Sequence, residues 1–242
     1  MEKIYLFDVD GTLTEPRQKI DEAFAEIFLK WASDKIVYLV TGSDLGKIKQ
    51  QVFDELLNAC TGVFCCLGNT FYKNDKLVFK KGFRPKLELT EDLEAYVEAS
   101  SYPVKTGKHI EKRTGMINFS VVGRNATKEQ REDYYAWDQK NHERADIVDY
   151  ITKAWPKLDV AVGGMISVDI FAKGRDKSQV LKHLKKEHGS DLSIVFTGDR
   201  IYPSGNDYGL AMALEKMPNC QHLSVLGYEE TRALIEYSEL FR

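Results

Sequence analysis

The 242-residue chain carries 37 acidic and 34 basic residues, a formal net charge of -3, and 43% hydrophobic residues. That length supports one large globular domain or two modest ones, and so small a net charge excludes recruitment of nucleic acid or an anionic membrane by overall charge. Cys60, Cys65, Cys66 and Cys220 form no C-x-x-C pair, the first strand starts by about Ile4 with no room for a signal peptide, and no apolar stretch approaches ~18 residues, so a soluble cytoplasmic protein with reduced thiols is expected.

In chain order, Ile4–Phe7 is a short apolar run that reads as a buried strand and delivers Asp8 and Asp10 at its carboxyl end, within Phe7-Asp8-Val9-Asp10-Gly11-Thr12-Leu13-Thr14. Open α/β sheets bind ligands at that end. Alternation along a strand puts Asp8 and Asp10 on one side and Val9 on the other. Two charges so close repel, and a hard, oxygen-bound cation such as Mg²⁺ resolves the conflict while keeping Asp8 ionised, able to attack phosphorus. A bare Asp-x-Asp is more often an acidic turn capping a helix, so the rest of the chain decides.

Helical periodicity follows over Asp21–Ser33, with Phe24, Ile27, Phe28 and Trp31 on one face, and over Asp44–Leu57, with Leu45, Ile48, Val52 and Leu56. Apolar strands are expected at Ile36–Val40, Val63–Leu67, Ile194–Thr197 and Leu223–Leu226. This β-α-β grammar predicts a doubly wound, mostly parallel α/β sheet. Between about Gly82 and Lys173 the pattern changes to alternating strands and two capped helices, which predicts an inserted α+β domain with an antiparallel sheet. The expected division is residues 1–81, 82–173 and 174–242.

In the insert, one helix is expected to start with Thr90 as N-cap, and a second has Thr127 and Gln130 in capping-box spacing. In Met116–Val122 the residues Ile117, Phe119 and Val121 alternate with Asn118 and Ser120; in Met165–Phe171 Ile166, Val168 and Ile170 alternate with Ser167 and Asp169. A sheet greasy on one face and polar on the other is a candidate binding surface, although a plain solvated face is the commoner outcome. From Lys105 to Arg131 there are seven basic residues against two acidic ones. Among them Arg124 follows the polar parity of Asn118, and Arg131 lies in the first turn of a capped helix, so both suit a phosphate. Arg113 has the wrong parity unless a bulge at Thr114-Gly115 switches it. Without a basic total or a stacking platform, the cluster is a poor nucleic-acid surface.

Three further sites fall where main-sheet strands end: Thr41 in Val40-Thr41-Gly42-Ser43, Lys177 in Gly174-Arg175-Asp176-Lys177, and Asp199 in Thr197-Gly198-Asp199 ahead of Gly205-Asn206-Asp207. A hydroxyl, a lysine and a third carboxylate there suit a phosphoryl group and Mg²⁺. In order, the four segments resemble the motifs of the haloacid dehalogenase superfamily, with the insert as a C2-type cap on a Rossmann-like core. Arg17-Gln18-Lys19-Ile20, Lys112–Asn118 leading to Gly123-Arg124, and Gly163–Asp169 extend the resemblance to the eukaryotic-type phosphomannomutases over nearly the whole chain.

That resemblance implies an isomerase that interconverts mannose 6-phosphate and mannose 1-phosphate, feeding GDP-mannose synthesis. It implies Asp8 as nucleophile, Asp10 as acid/base, Thr41 and Lys177 as phosphate-binding, and Asp8, Asp199 and the Asp10 carbonyl around Mg²⁺. Arg17, Arg113, Arg124, Arg131, Ser167 and Asp169 match the family's substrate positions; a hexose 1,6-bisphosphate activator and a homodimer through the cap are also implied. Departures are Ser204-Gly205 in place of two glycines, Leu67-Gly68-Asn69 in place of an acidic-Asn-Gly turn, and Tyr208–Cys220, which does not match a second cation loop. The alternatives are a C2-capped sugar-phosphate phosphatase, and an inert phosphosugar sensor, which the full set of carboxylates disfavours.

Overall fold

The computed structural model describes residues 2–242. In chain order the elements are β1 (Lys3–Phe7), α1 (Glu22–Ala32), β2 (Ile36–Val40), α2 (Leu45–Gln51), α3 (Asp54–Ala59), β3 (Gly62–Cys65), β4 (Thr70–Lys73), β5 (Lys76–Lys80) and α4 (Leu87–Ala99). There follow β6 (Ile110–Arg113), β7 (Met116–Phe119), α5 (Lys128–Asn141), α6 (Glu143–Ala154), β8 (Leu158–Gly163) and β9 (Ser167–Ala172). The chain ends with α7 (Val180–His188), β10 (Ser193–Gly198), α8 (Tyr208–Glu215), β11 (Cys220–Ser224) and α9 (Tyr228–Tyr237).

Seven strands form one sheet in the order β11-β10-β1-β2-β3-β4-β5, all running one way except β4, which pairs antiparallel with both β3 and β5. Its central strands are buried on both faces. On β1, Tyr5 and Phe7 point into one apolar layer with Phe24 and Phe28 of α1, while Ile4 and Leu6 point into another with Leu184 of α7 and Leu210 of α8. Each such side chain removed from water is worth roughly 1.5–3 kcal/mol, so helices on both faces follow from the unbroken apolar runs. Asp21 caps α1 by accepting from Phe24 N at 2.9 Å.

The second sheet is antiparallel, in the order β6-β7-β9-β8. Ile117, Phe119, Val168 and Ile170 pack under Leu89 and Leu93 of α4, Tyr134 of α5, and Ile147 and Ile151 of α6. The opposite face carries Asn118, Ser167 and Asp169. Among the described residues, no helix is long and apolar enough to cross a membrane.

Several elements differ from the sequence reading. The helix expected over Asp44–Leu57 breaks at Val52, which is extended (φ -122°, ψ 129°), because the Gln51 carbonyl accepts from Ile20 N instead of continuing the helix. The strand expected to reach Leu67 stops at Cys65, since Cys66 and Leu67 turn left-handed (φ 51° and 60°) and start the β4–β5 hairpin. The first helix of the insert starts at Leu87, with Thr90 inside it. The insert holds three helices, because His142 at φ 58° divides α5 from α6. Met165 and Ile166 precede β9, and β11 begins at Cys220, which leaves Leu226 beyond it and exposed.

Candidate active site

Asp8 continues β1 by donating its N–H to Thr197 O at 3.0 Å, which fixes it beside the end of β10. Lys177 opens the turn before α7, where Asp176 accepts from Ser178 N at 2.7 Å. Its Nζ, wholly buried, donates to Asp8 Oδ1 at 2.5 Å and to Asp207 Oδ1 at 2.6 Å. A buried ammonium is costly unless paired; burial lowers the Lys177 pKa, but Asp207 and Asp8 more than offset this and raise it. Burial pushes the Asp8 carboxyl well up, and Asp207 and Asp199 push the same way against Lys177. Asp199 is pushed up to about 7, by burial first and by Asp207, with Arg200 opposing.

Asp8, Asp199 and Asp207 each offer a carboxylate oxygen within 4.8 Å of the others. Against three carboxylates stand Lys177 and Arg200, whose Nε lies 3.5 Å from Asp199 Oδ2. Asp199 Oδ1 is buried without a partner. An oxygen-only donor set short of positive charge fits a hard cation such as Mg²⁺. Asp207 is already committed, to Lys177 and to the Arg200 N–H at 3.0 Å, so Asp8 and Asp199 are the residues open to the ion. Gly11 is required here, at φ 86°, because a Cβ would meet Asp199 Oδ2 at 2.5 Å.

Asp10 is pinned by three donors. Its Oδ1 accepts from Arg17 N and from Gln51 Nε2, both at 2.8 Å, and its Oδ2 from Ser43 Oγ at 3.3 Å. Thr41 Oγ1 accepts from Ser43 N at 3.0 Å, so the turn after β2 is wound around the hydroxyl. Sequence reasoning gave no role to Asp207, Ser43, Gln51 or Glu111. The signal for Asp207 was its place eight residues beyond Asp199 in the same loop; Gln51 offered none, lying at the end of a helix whose break was not foreseen.

On the insert's polar face Asn118 sits opposite Asp169 and donates from Nδ2 to Asp169 Oδ1 at 2.8 Å and to Ser167 Oγ at 3.0 Å. Ser167 Oγ donates onward to Gly163 O at 2.8 Å. Burial raises the Asp169 pKa, against Arg113. Arg113 shares this face. It pairs directly with Met116 across the two-residue turn Thr114-Gly115, and directly paired residues lie on the same side. A tight turn, with Gly115 at φ 79°, does what the sequence reading required of a bulge.

Arg124 pairs through Nε with Glu111 Oε2 at 2.9 Å. Arg131 donates from Nε to Ala126 O at 2.9 Å and from Nη2 to Arg124 O at 3.0 Å, at the start of a helix capped by the Thr127–Gln130 box. Burial lowers the pKa of Arg17, Arg124 and Arg131, and the arginines lower one another further: Arg17 acts on Arg124, which falls to about 10, Arg124 on Arg131, and Arg131 on Arg17. Cations that repel one another in this way would be relieved by an anion placed between them.

A cavity of about 330 Å³ joins the two halves, with Asp8, Asp10, Thr41 and Ser43 on one wall and Arg113, Arg124, Arg131, Ser167 and Asp169 on the other; Arg17 and Arg200 also line it. Lys177 and Asp199 lie behind Asp8. The walls are tied together at both ends. Arg113 Nη1 donates to Gly42 O at 3.1 Å, Lys47 pairs with Glu111, and Val162 N donates to Ser204 O at 2.6 Å. Ser204 takes the left-handed backbone (φ 72°) where glycine was expected by resemblance.

The model of eukaryotic phosphomannomutase matches residues 24–237. The chain belongs to the eukaryotic phosphomannomutase family. Phosphomannomutases resembling it include one from Dendrobium officinale, 35% identical over 213 residues, 85% of this chain and 83% of the relative. Another, from Encephalitozoon cuniculi, is 36% identical over 213 residues, 85% and 82% of the two chains. Among solved structures, the C-terminal domain of C. albicans trehalose-6-phosphate phosphatase superposes with a TM-score of 0.66 at 15% identity, covering 99% of this chain and 92% of that one. A haloacid dehalogenase-like hydrolase from Bacteroides thetaiotaomicron gives 0.60 at 12% identity, covering 98% and 99%. These likenesses show the shared fold. The family model's match begins at residue 24, beyond Asp8 and Asp10, so their place rests on the geometry above.

Proposed function

We propose that the protein interconverts mannose 6-phosphate and mannose 1-phosphate through a phosphorylated Asp8 and a hexose 1,6-bisphosphate, which is also its activator. One observation carries this reading. A single cavity has a carboxylate backed by a buried lysine on one wall and three arginines on the other, so it offers two separate places for phosphate. Phosphomannomutase relatives at 35–36% identity support the same reaction.

In the forward direction the acyl phosphate on Asp8 gives its phosphoryl group to the sugar hydroxyl, whose proton passes to Asp10. Thr41 and Lys177 flank the group in transit, and Arg17, Arg113, Arg124 and Arg131 hold the other phosphate while Ser167 and Asp169 meet the sugar. The bisphosphate turns end for end. An Asp8 oxygen then attacks the other phosphorus, the sugar oxygen leaves with the proton from Asp10, and the product is released with Asp8 phosphorylated again. Asp8, Asp199 and the Asp10 carbonyl would hold Mg²⁺, whose charge would screen the repulsion between nucleophile and phosphate. Residues 82–173 act as a cap that excludes water from the acyl phosphate. The free cysteines suit a reducing cytoplasm. A product feeding GDP-mannose synthesis and a dimer through the cap complete the reading.

A coupled assay on mannose 1-phosphate and glucose 1-phosphate, with and without hexose 1,6-bisphosphate, tests it. Activator-dependent isomerisation is expected, and Asp8→Asn should remove it by on the order of 10⁴-fold or more, the scale of losing a nucleophile. Free phosphate as the main product would replace the reading with a phosphatase.

A further inference from the structure

We infer that Glu111 is a positioning residue that assembles the arginine grip as the cap meets the core, an inference that rests on the sugar-phosphate reading above. Glu111 lies on β6 opposite Asn118, yet its side chain does not line the cavity. Three cations from three places in the chain converge on it. Oε1 accepts from Arg113 Nε at 2.9 Å and pairs with Lys47 of α2, and Oε2 pairs with Arg124 Nε at 2.9 Å.

Both arginines are therefore held on Glu111 through Nε, and Arg113 also reaches Oε2 from Nη2 at 3.5 Å. Arg113 uses Nη1 on Gly42 O, while the terminal nitrogens of Arg124 have no protein partner among the described residues. That leaves the outer edge of Arg124, in the cavity wall, for a phosphate oxygen. A glutamate blocking the arginines would occupy that edge instead. Without its charge, Lys47, Arg113 and Arg124 would face one another with nothing between them, and Arg17 would add to the repulsion.

Lys47 makes this carboxylate more than a local brace. It belongs to α2 of the parallel-sheet half, and β6 belongs to the insert, so the set of three cations is complete only with the two halves together. Closing the cavity and fixing the arginines become one event. Lys47 itself stands outside the cavity wall.

The test uses the full chain with Mg²⁺ and hexose 1,6-bisphosphate present, and compares the native protein with Glu111→Gln, Lys47→Ala and the double variant. Two rates are read: turnover of mannose 1-phosphate, and phosphorylation of Asp8 by acetyl phosphate, a donor with one phosphate and no sugar. Glu111→Gln should raise KM about tenfold and change kcat less than about twofold, the effect of a grip displaced rather than chemistry lost. Lys47→Ala should raise KM about threefold, and the double variant should be no worse than Glu111→Gln because both remove one shared interaction. Phosphorylation by acetyl phosphate should stay at the native rate. A native protein active in both assays whose KM ignores Glu111→Gln overturns the inference alone, as does a variant that loses both rates together. A native protein inactive in both overturns the underlying reading and the inference with it. Should Glu111→Gln fail to fold, Lys47→Ala decides: its KM rises or the inference falls.

Discussion

Glu111 also gives the molecule an acid-sensitive joint. Burial pushes its carboxyl up, but hydrogen bonds from Arg113 and Lys47 more than offset that and bring it down to about 2. A pKa depressed by folding contributes stability that is complete above the unfolded value of about 4.3 and is lost as pH falls toward 2. Discounted for its partial exposure, the contribution is about 2 kcal/mol. Urea midpoints measured from pH 5 down to 2 should therefore fall more steeply for the native protein than for Glu111→Gln; parallel curves would remove Glu111 from the joint. At this scale the placement of strand ends was legible: Asp8, Thr41, Lys177 and Asp199 all lie together at one end of the main sheet. Glu111 was not, because one of two acids among seven bases looks like dilution of a basic patch until the structure shows Arg113 and Arg124 paired with it.

Among elements, the β6–β7 hairpin shows how a short turn governs a wall of the cavity. Its two-residue tip fixes the parity of Arg113, and it packs against the buried Asn69 beyond β3. Gly115 has φ 79°, and a Cβ there would lie 2.3 Å from Asn69 Cγ. Gly115→Ala should cost about 2 kcal/mol or more, through backbone strain and overpacking together, and should raise KM as the hairpin lifts. Thermal unfolding and kinetics check both; an unchanged KM with a lowered Tm would confine the hairpin to stability. Parity alone could not place Arg113, since it assumes an unbroken strand. The break at Val52 was hidden for a related reason: Leu45, Ile48, Val52 and Leu56 continue one apolar stripe across it, although Gln51 has turned away toward Asp10. The β4–β5 hairpin left no pattern to read because Leu77 and Val78 are exposed on an edge strand.

For the whole molecule, the shortage of positive charge around Asp8, Asp199 and Asp207 predicts that a bound cation adds to stability. Ligand that binds only the folded state at a hundred times its dissociation constant adds about 2.7 kcal/mol. Mg²⁺ added to chelator-treated protein should raise Tm, and Asp199→Asn should abolish the rise while leaving the chelated protein at least as stable as native, since one of three crowded carboxylates is gone. A rise that survives Asp199→Asn would place the ion elsewhere. The two-sheet architecture was legible because the central strands are apolar on both faces while Met116–Phe119 and Ser167–Ala172 are apolar on one. The closeness of the two sheets was not, because one tie, Val162 N to Ser204 O, is made by backbone that carries no signature, and the Arg113–Gly42 and Lys47–Glu111 ties join residues whose spacing in the chain shows no pattern.

The strand order also sets a timetable for synthesis. β1 lies between β2, made within the next forty residues, and β10, which starts at Ser193. At roughly 5–20 residues per second, one edge of β1 waits on the order of ten to forty seconds for its partner on the ribosome. During that interval Asp8 has neither Lys177 nor Asp199 beside it, while the insert, a contiguous stretch of chain, is already complete enough to bury its own apolar layer. The arginine-bearing wall is thus available to fold before Asp8 has its buried lysine.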